Sequence, residues 1–149
     1  MLELRPDFAE AFNKRGKAYS GKGEDARAVK DFNQAINLKP QFAEAFCNRG
    51  DAYRHQSGFD LALKDYDRAI ELEPRYALAF SGRGLTYDDK GEYGRALEDL
   101  DRAIELRPRW PTAYFNRGLV YLSKGARERA IRDFDQANKL NVDVSAKRP

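Results

Sequence analysis

The 149-residue chain has one cysteine, one methionine, one tryptophan and one histidine. With Cys47 alone, no internal disulfide can form and no zinc-finger spacing exists. A single thiol fits a reducing compartment. No run of about 18 apolar residues is present, so no helical membrane span and no membrane partner are expected. The opening MLELRPDFAE lacks a basic segment followed by an apolar stretch, so no secretory signal is read there. These features lead to an expected cytoplasmic location. Charge of one sign is also lacking. Lys and Arg number 27 against 24 Asp and Glu, a net +3 with a pI near 9.0, far short of a basic arm. Basic residues are interleaved with acids, whereas a nucleic-acid face needs a clustered basic stripe, so nucleic acid is not an expected partner.

Catalytic groups are equally sparse. One His, one Cys and no glycine-rich turn between strand and helix leave no nucleophile–base pair and no phosphate loop. Asp88 and Asp89 are adjacent and point apart on a helix, unlike carboxylates that face each other across a cleft. Cys47, Asp51 and His55, at i, i+4 and i+8, carry plausible metal-ligand atoms, with Asp88 and Asp89 available from a neighbouring helix. Positions i and i+8 stand about 12 Å apart along a helix axis, however, too far to share one ion easily. The trio is therefore read as a solvated polar surface. No enzyme activity, cofactor or metal is expected.

What the chain does have is a period. Pro6, Pro40, Pro74 and Pro108 are 34 residues apart, and so are Arg15, Arg49, Arg83 and Arg117 with the glycine after each. Tyr19, Tyr53, Tyr87 and Tyr121 keep the register. A fixed period of this size signals stacked supersecondary units. Within one period Phe12, Arg15, Gly16 and Tyr19 fall at i, i+3, i+4 and i+7, one face of a helix. Gly23 breaks the pattern as glycine does past a helix end. Ala28, Phe32, Ala35 and Ile36 then mark a second helix, stopped by Pro40. The spacing predicts first helices near 7–21, 41–55, 75–89 and 109–123, and second helices near 24–38, 58–72, 92–106 and 126–140.

The pattern aromatic-x2-Arg-Gly-x2-Tyr, then Ala-x3-aromatic or Leu, then Ala, then Pro, resembles the tetratricopeptide repeat (TPR) family over nearly the whole chain. The second half of the motif stands at Ala28-x3-Phe32, Ala62-x3-Tyr66, Ala96-x3-Leu100 and Ala130-x3-Phe134. Three departures are visible. Arg occupies a position where the family usually has Leu, the inter-helix glycine comes one residue late at Ser57-Gly58, and Val142 replaces the fourth proline. The resemblance implies an all-α, right-handed solenoid of antiparallel helix hairpins, a single array over 1–149. Repeats are expected at about 9–42, 43–76, 77–110 and 111–144. Residues 1–8 would be the tail of a preceding repeat or a helix cap, because LELRP at 2–6 echoes IELRP at 104–108, and 145–149 would be a tail.

The recurrent glycine sits inside a helix, where it costs about 1 kcal/mol against alanine. Close helix packing is the expected reason, with the alanine columns at Ala28, Ala62, Ala96 and Ala130 and at Ala35, Ala69, Ala103 and Ala137 opposite. The arginine beside it lies on the inward stripe and needs a partner. Asp31, Asp65, Asp99 and Asp133 of the same hairpin are the first candidates. Asn33, Asp67, Asp101 and Asp135 form a rival column, and an arginine ladder that binds phosphates is the functional alternative.

The resemblance also implies a non-enzymatic scaffold whose first helices line a concave groove for a peptide or protein segment. Stepping off the core stripe gives Asn13 and Lys17, then Asn48, Asp51 and His55, then Leu78 and Leu85, and finally Phe115, Asn116, Leu119 and Leu122. Phe115, Leu119 and Leu122 fall at i, i+4 and i+7, and Leu78 with Leu85 is expected to extend that apolar stripe. The stripe is either a partner anchor or a surface covered by a further repeat or by the chain's own tail from Asn141 onward. TPR proteins that grip acidic chaperone tails use Lys and Asn in one first helix, Asn in the next, and Lys and Arg in the third. Here Asn48 fits, but Asn13 and Lys17 stand in reverse order, and Leu78 and Gly82 replace the cations. Shifting by one repeat brings Cys47, Asp51, Gly82, Thr112 and Asn116, again without the charges, so no such clamp is expected. The alternative to groove binding is a structural module that forms homo-oligomers through its terminal repeat faces. Asn138 stands where Ile36, Ile70 and Ile104 stood, as an exposed end requires, yet Ile131, Phe134 and Leu140 stay apolar.

Overall fold

The computed structural model describes residues 6–146, and side chains over 7–142. Among the described residues there are eight α-helices and no strand: α1 (Pro6–Gly21), α2 (Asp25–Leu38), α3 (Ala43–His55), α4 (Phe59–Leu72), α5 (Ala77–Asp89), α6 (Tyr93–Leu106), α7 (Pro111–Lys124) and α8 (Arg127–Ala146). The chain divides into two compact units, Met1–Pro74 and Arg75–Pro149, each holding two helix hairpins. The MLEL start and residues 147–149 of the expected tail lie outside the described residues.

Helix ends follow local chemistry. Gly23, Gly91 and Gly125 take φ of 79°, 78° and 84°, the left-handed conformation that ends a helix without a Cβ clash. In the second repeat the glycine comes one residue late, and Ser57 takes that conformation at φ 61°. Ser57→Gly is therefore expected to raise stability by about 1 kcal/mol, measured as a higher thermal midpoint. Around Pro40, Pro74 and Pro108 the chain makes a turn before helix resumes, as in the Phe42 N–H bond to the Lys39 carbonyl at 3.1 Å. The first helices of the later repeats accordingly start two residues beyond the expected 41, 75 and 109. Helix α8 passes the expected end at 140 and continues to Ala146, because Val142 leaves intact the N–H that a proline would remove.

The motif residues assemble the same way in each hairpin. The arginine Nε and Nη2 donate to both oxygens of the aspartate 16 residues on, at 2.7–2.8 Å, in Arg15–Asp31, Arg49–Asp65, Arg83–Asp99 and Arg117–Asp133. The flanking aromatics sandwich the guanidinium, as with Arg49 at 5.5 Å from the Phe46 ring centroid and 5.7 Å from that of Tyr53. The spare Nη1 reaches back to the preceding second helix. Arg49 donates to Asn33 at 2.9 Å and Arg117 to Asp101 at 3.0 Å. Both candidate columns are thus engaged, the first by both of its carboxylate oxygens.

The glycine is required by the residue that faces it. A Cβ on Gly16 would lie 2.6 Å from the Phe32 ring, one on Gly50 3.0 Å from Tyr66, and one on Gly118 2.6 Å from Phe134. The expected alanine columns are not what these three glycines meet. They face the bulky column instead, and the alanines, fully buried at Ala28, Ala35, Ala62 and Ala69, fill the core around it. In the first unit, Phe42, just before α3, and Ala45 of α3 pack with Ala9, Phe12, Ala35, Ile36 and Leu38 of the preceding hairpin.

Candidate functional site

In the first unit, α1 and α3 lie side by side, joined by the Asn48 amide donating to Asn13 Oδ1 at 3.0 Å and by Lys17 Nζ to Glu44 at 3.3 Å. Beside these contacts opens a pocket of about 350 Å³, lined by Lys17, Ser20, Gly21, Phe32, Asn48, Asp51, Arg54 and His55. Lys17 and His55 are exposed, while Asn48, Asp51 and Arg54 are half-buried. The His55 ring approaches Asp25 at 3.5 Å, and Ser20 Oγ donates to the same carboxylate at 3.1 Å. The pocket thus brings together Lys17, Asn48, Asp51 and His55 of the expected groove. Phe32 escaped the sequence reading because its spacing marks it as core, and only the tertiary arrangement brings it to the pocket wall.

Asp51 accepts a hydrogen bond from the Tyr66 hydroxyl. Burial raises the Asp51 carboxyl above its ordinary value, against the lowering effect of that bond. Burial beside the carboxylate also pushes the Tyr66 hydroxyl up. A carboxyl with a raised folded pKa costs stability at neutral pH, and the cost disappears as pH falls towards its unfolded value of 3.8. Asp51→Asn keeps an acceptor for Tyr66 and removes the charge. It should raise the thermal midpoint at about pH 7, with the gain fading in acid.

Other placements differ from the expectation. Asn13 is 1% exposed and Asn116 8%, so neither offers an open groove surface. Each is covered at the junction of two first helices, Asn13 by the bond from Asn48 and Asn116 by its own amide donating to Ser81 at 3.0 Å. Phe115, at the repeat position of Asn13, is by contrast 48% exposed. It packs against Phe134 with centroids 5.4 Å apart and lines a pocket of about 470 Å³ with Pro111, Thr112, Ala137, Asn138 and Asn141, beside α7 and α8. Leu85 and Leu119 are half-buried. Leu78, in the first turn of α5, and Leu122, near the end of α7, remain about half exposed. All five residues of the expected apolar stripe thus keep some exposed surface.

Burial raises the Asp88 carboxyl above its ordinary value. Among the described residues, no group of three His, Cys, Asp or Glu side chains is placed to hold a metal ion. Among the same residues, no helix is long and apolar enough to cross a membrane.

Family models for the TPR repeat match residues 21–58 and 87–125, and tetratricopeptide repeat models match 43–76 and 111–141. Among curated proteins none matches. Among solved structures, the chain is similar to the crystal structure of MamA, with 30% identity and a TM-score of 0.77 over 93% of this chain and 81% of that one. MamA 41-end from Desulfovibrio magneticus RS-1 shares the fold at 23% identity and a TM-score of 0.77, covering 95% of this chain and 78% of that one. The Arabidopsis OM64 TPR domain does so at 24% and 0.74, covering 77% and 95%. With the repeat matched by family models over both compact units, and its arginine, glycine and tyrosine positions each given a packing role, the chain belongs to the tetratricopeptide repeat family.

Proposed function

We propose that the chain is a protein-interaction scaffold that binds a peptide or protein segment along its first helices, with the α1–α3 pocket as the main anchor. The observation that carries this reading is the convergence of Lys17, Asn48, Asp51 and His55 with Ser20 and Arg54 around one concavity of about 350 Å³. Two cations, one carboxylate and an imidazole stand within one pocket against a Phe32 wall. That mixture suits a polar segment carrying both donors and acceptors rather than a uniformly acidic tail.

The test is a peptide selected by display against the wild-type chain. Its affinity should fall about tenfold for Lys17→Glu combined with His55→Ala, read by fluorescence polarisation. Unchanged affinity in that variant, with loss in Leu119→Asp, would move the site to the second unit. A second reading, a structural module that oligomerises through its terminal hairpin faces, is favoured by the exposure of Phe8 at 51%, Phe115 at 48% and Ile131 at 56%.

A further inference from the structure

The first hairpin and the last carry two halves of an interface that the chain itself builds internally. At the internal junction of the first unit, Phe42, the residue before α3, is 6% exposed and packs among Ala9, Ala35, Ile36 and their neighbours. The counterparts of those three residues, three 34-residue periods on, are Pro111, Ala137 and Asn138. All three line the pocket of about 470 Å³ beside α7 and α8. The residue one period before Phe42 is Phe8, which stands 51% exposed on α1.

Charges complete the match. Arg49 and Arg117 each extend Nη1 to an acceptor on the preceding second helix, Asn33 and Asp101. Their side chains are 20% and 22% exposed, whereas that of Arg15, the counterpart on α1, is 59% exposed. On α8 the residue equivalent to Asn33 and Asp101 is Asp135, which is exposed. Arg15 is thus a donor with room for a second acceptor, and Asp135 offers one on the other face. The apolar surface agrees too. Val29 packs with the cluster containing Ala52 of α3, and Leu97 with that containing Val120 of α7. Their counterpart Ile131 is 56% exposed.

We propose that a second copy of the chain docks head-to-tail, laying its α1 on the α7–α8 face so that Phe8 enters the pocket and Arg15 meets Asp135. The proposal rests on the second functional reading above and adds a defined pairing and register. Such a contact is heterologous, so a docked pair still keeps one free head and one free tail for others.

Sedimentation velocity on wild type, Phe8→Asp and Ile131→Asp tests it, with Asp135→Arg as a second tail variant. All three substitutions are at exposed positions, and circular dichroism checks that each keeps its helices. Wild type should gain mass with concentration, and each variant alone should associate at least about tenfold more weakly. Mixing Phe8→Asp with Ile131→Asp or with Asp135→Arg should restore association as a one-to-one pair that grows no further, since only one intact head and one intact tail remain. If Phe8→Asp or a tail variant alone still pairs fully, like faces meet and the head-to-tail register is overturned while end-face assembly stands. A wild type that stays monomeric at every concentration overturns both.

Discussion

Gly16→Val is expected to destabilise the chain by about 3 kcal/mol. A Cβ at Gly16 would lie 2.6, 2.8 and 3.0 Å from three atoms of the Phe32 ring. Phe32 is fully buried and packed with Ala28 and Ala52, so its ring would have to shift against those neighbours. Valine adds two further methyl groups and loses rotamer freedom on a helix. Against this stands a gain of at most about 1 kcal/mol from replacing a helical glycine. The control is Gly94→Ala in α6, where an added Cβ meets nothing within 4 Å. That variant should gain a few tenths of a kcal/mol, up to about 1. Urea denaturation followed by helical circular dichroism reads both. Equal midpoints for Gly16→Val and wild type would show that the close approach does not limit this hairpin.

Arg49→Met should cost about 3 kcal/mol, the low end of what breaking a buried ion pair costs. The Asp65 side chain is 6% exposed and loses both donors, and Asn33 loses its own. Methionine keeps much of the packing between Phe46 and Tyr53, so the change falls mainly on charge and hydrogen bonding. Burial already holds the Asp65 carboxyl above its ordinary value despite Arg49, and removing Arg49 raises it further. A raised folded pKa makes the carboxylate costly at neutral pH and harmless once protonated. The deficit of Arg49→Met should therefore shrink as pH falls from neutrality towards the unfolded carboxyl value of 3.8. Arg15→Met should cost less, since the Arg15 side chain is 59% exposed. Unchanged stability with a lost phosphate affinity would instead favour the arginines as an anion ladder.

Much of this protein was legible because its signals are local. The 34-residue recurrence of proline and the arginine–glycine pair, the i, i+3, i+4, i+7 stripes and the glycine breakers placed all eight helices to within two residues, apart from the end of α8. Period also assigned each arginine to the aspartate of its own hairpin, because 16 residues bring the two helices back together. The exception at α8 is local as well, since Val142 is visible in the sequence as a missing stop.

The candidate site was only partly legible. Asn13 and Phe115 occupy the same position of the repeat, three periods apart, and a helical wheel treats them alike. The structure makes Asn13 1% exposed, under the Asn48 amide, and leaves Phe115 48% exposed beside Phe134. Likewise Asp51, an open groove residue by pattern, turns to the Tyr66 hydroxyl of the following helix. The sequence by itself determined the hairpins, their caps and their internal ion pairs, because periodicity, glycine and proline act within a few residues. Only the tertiary structure decided which flank of each first helix is covered, because that depends on a neighbour about 35 residues away and on which side chain it presents.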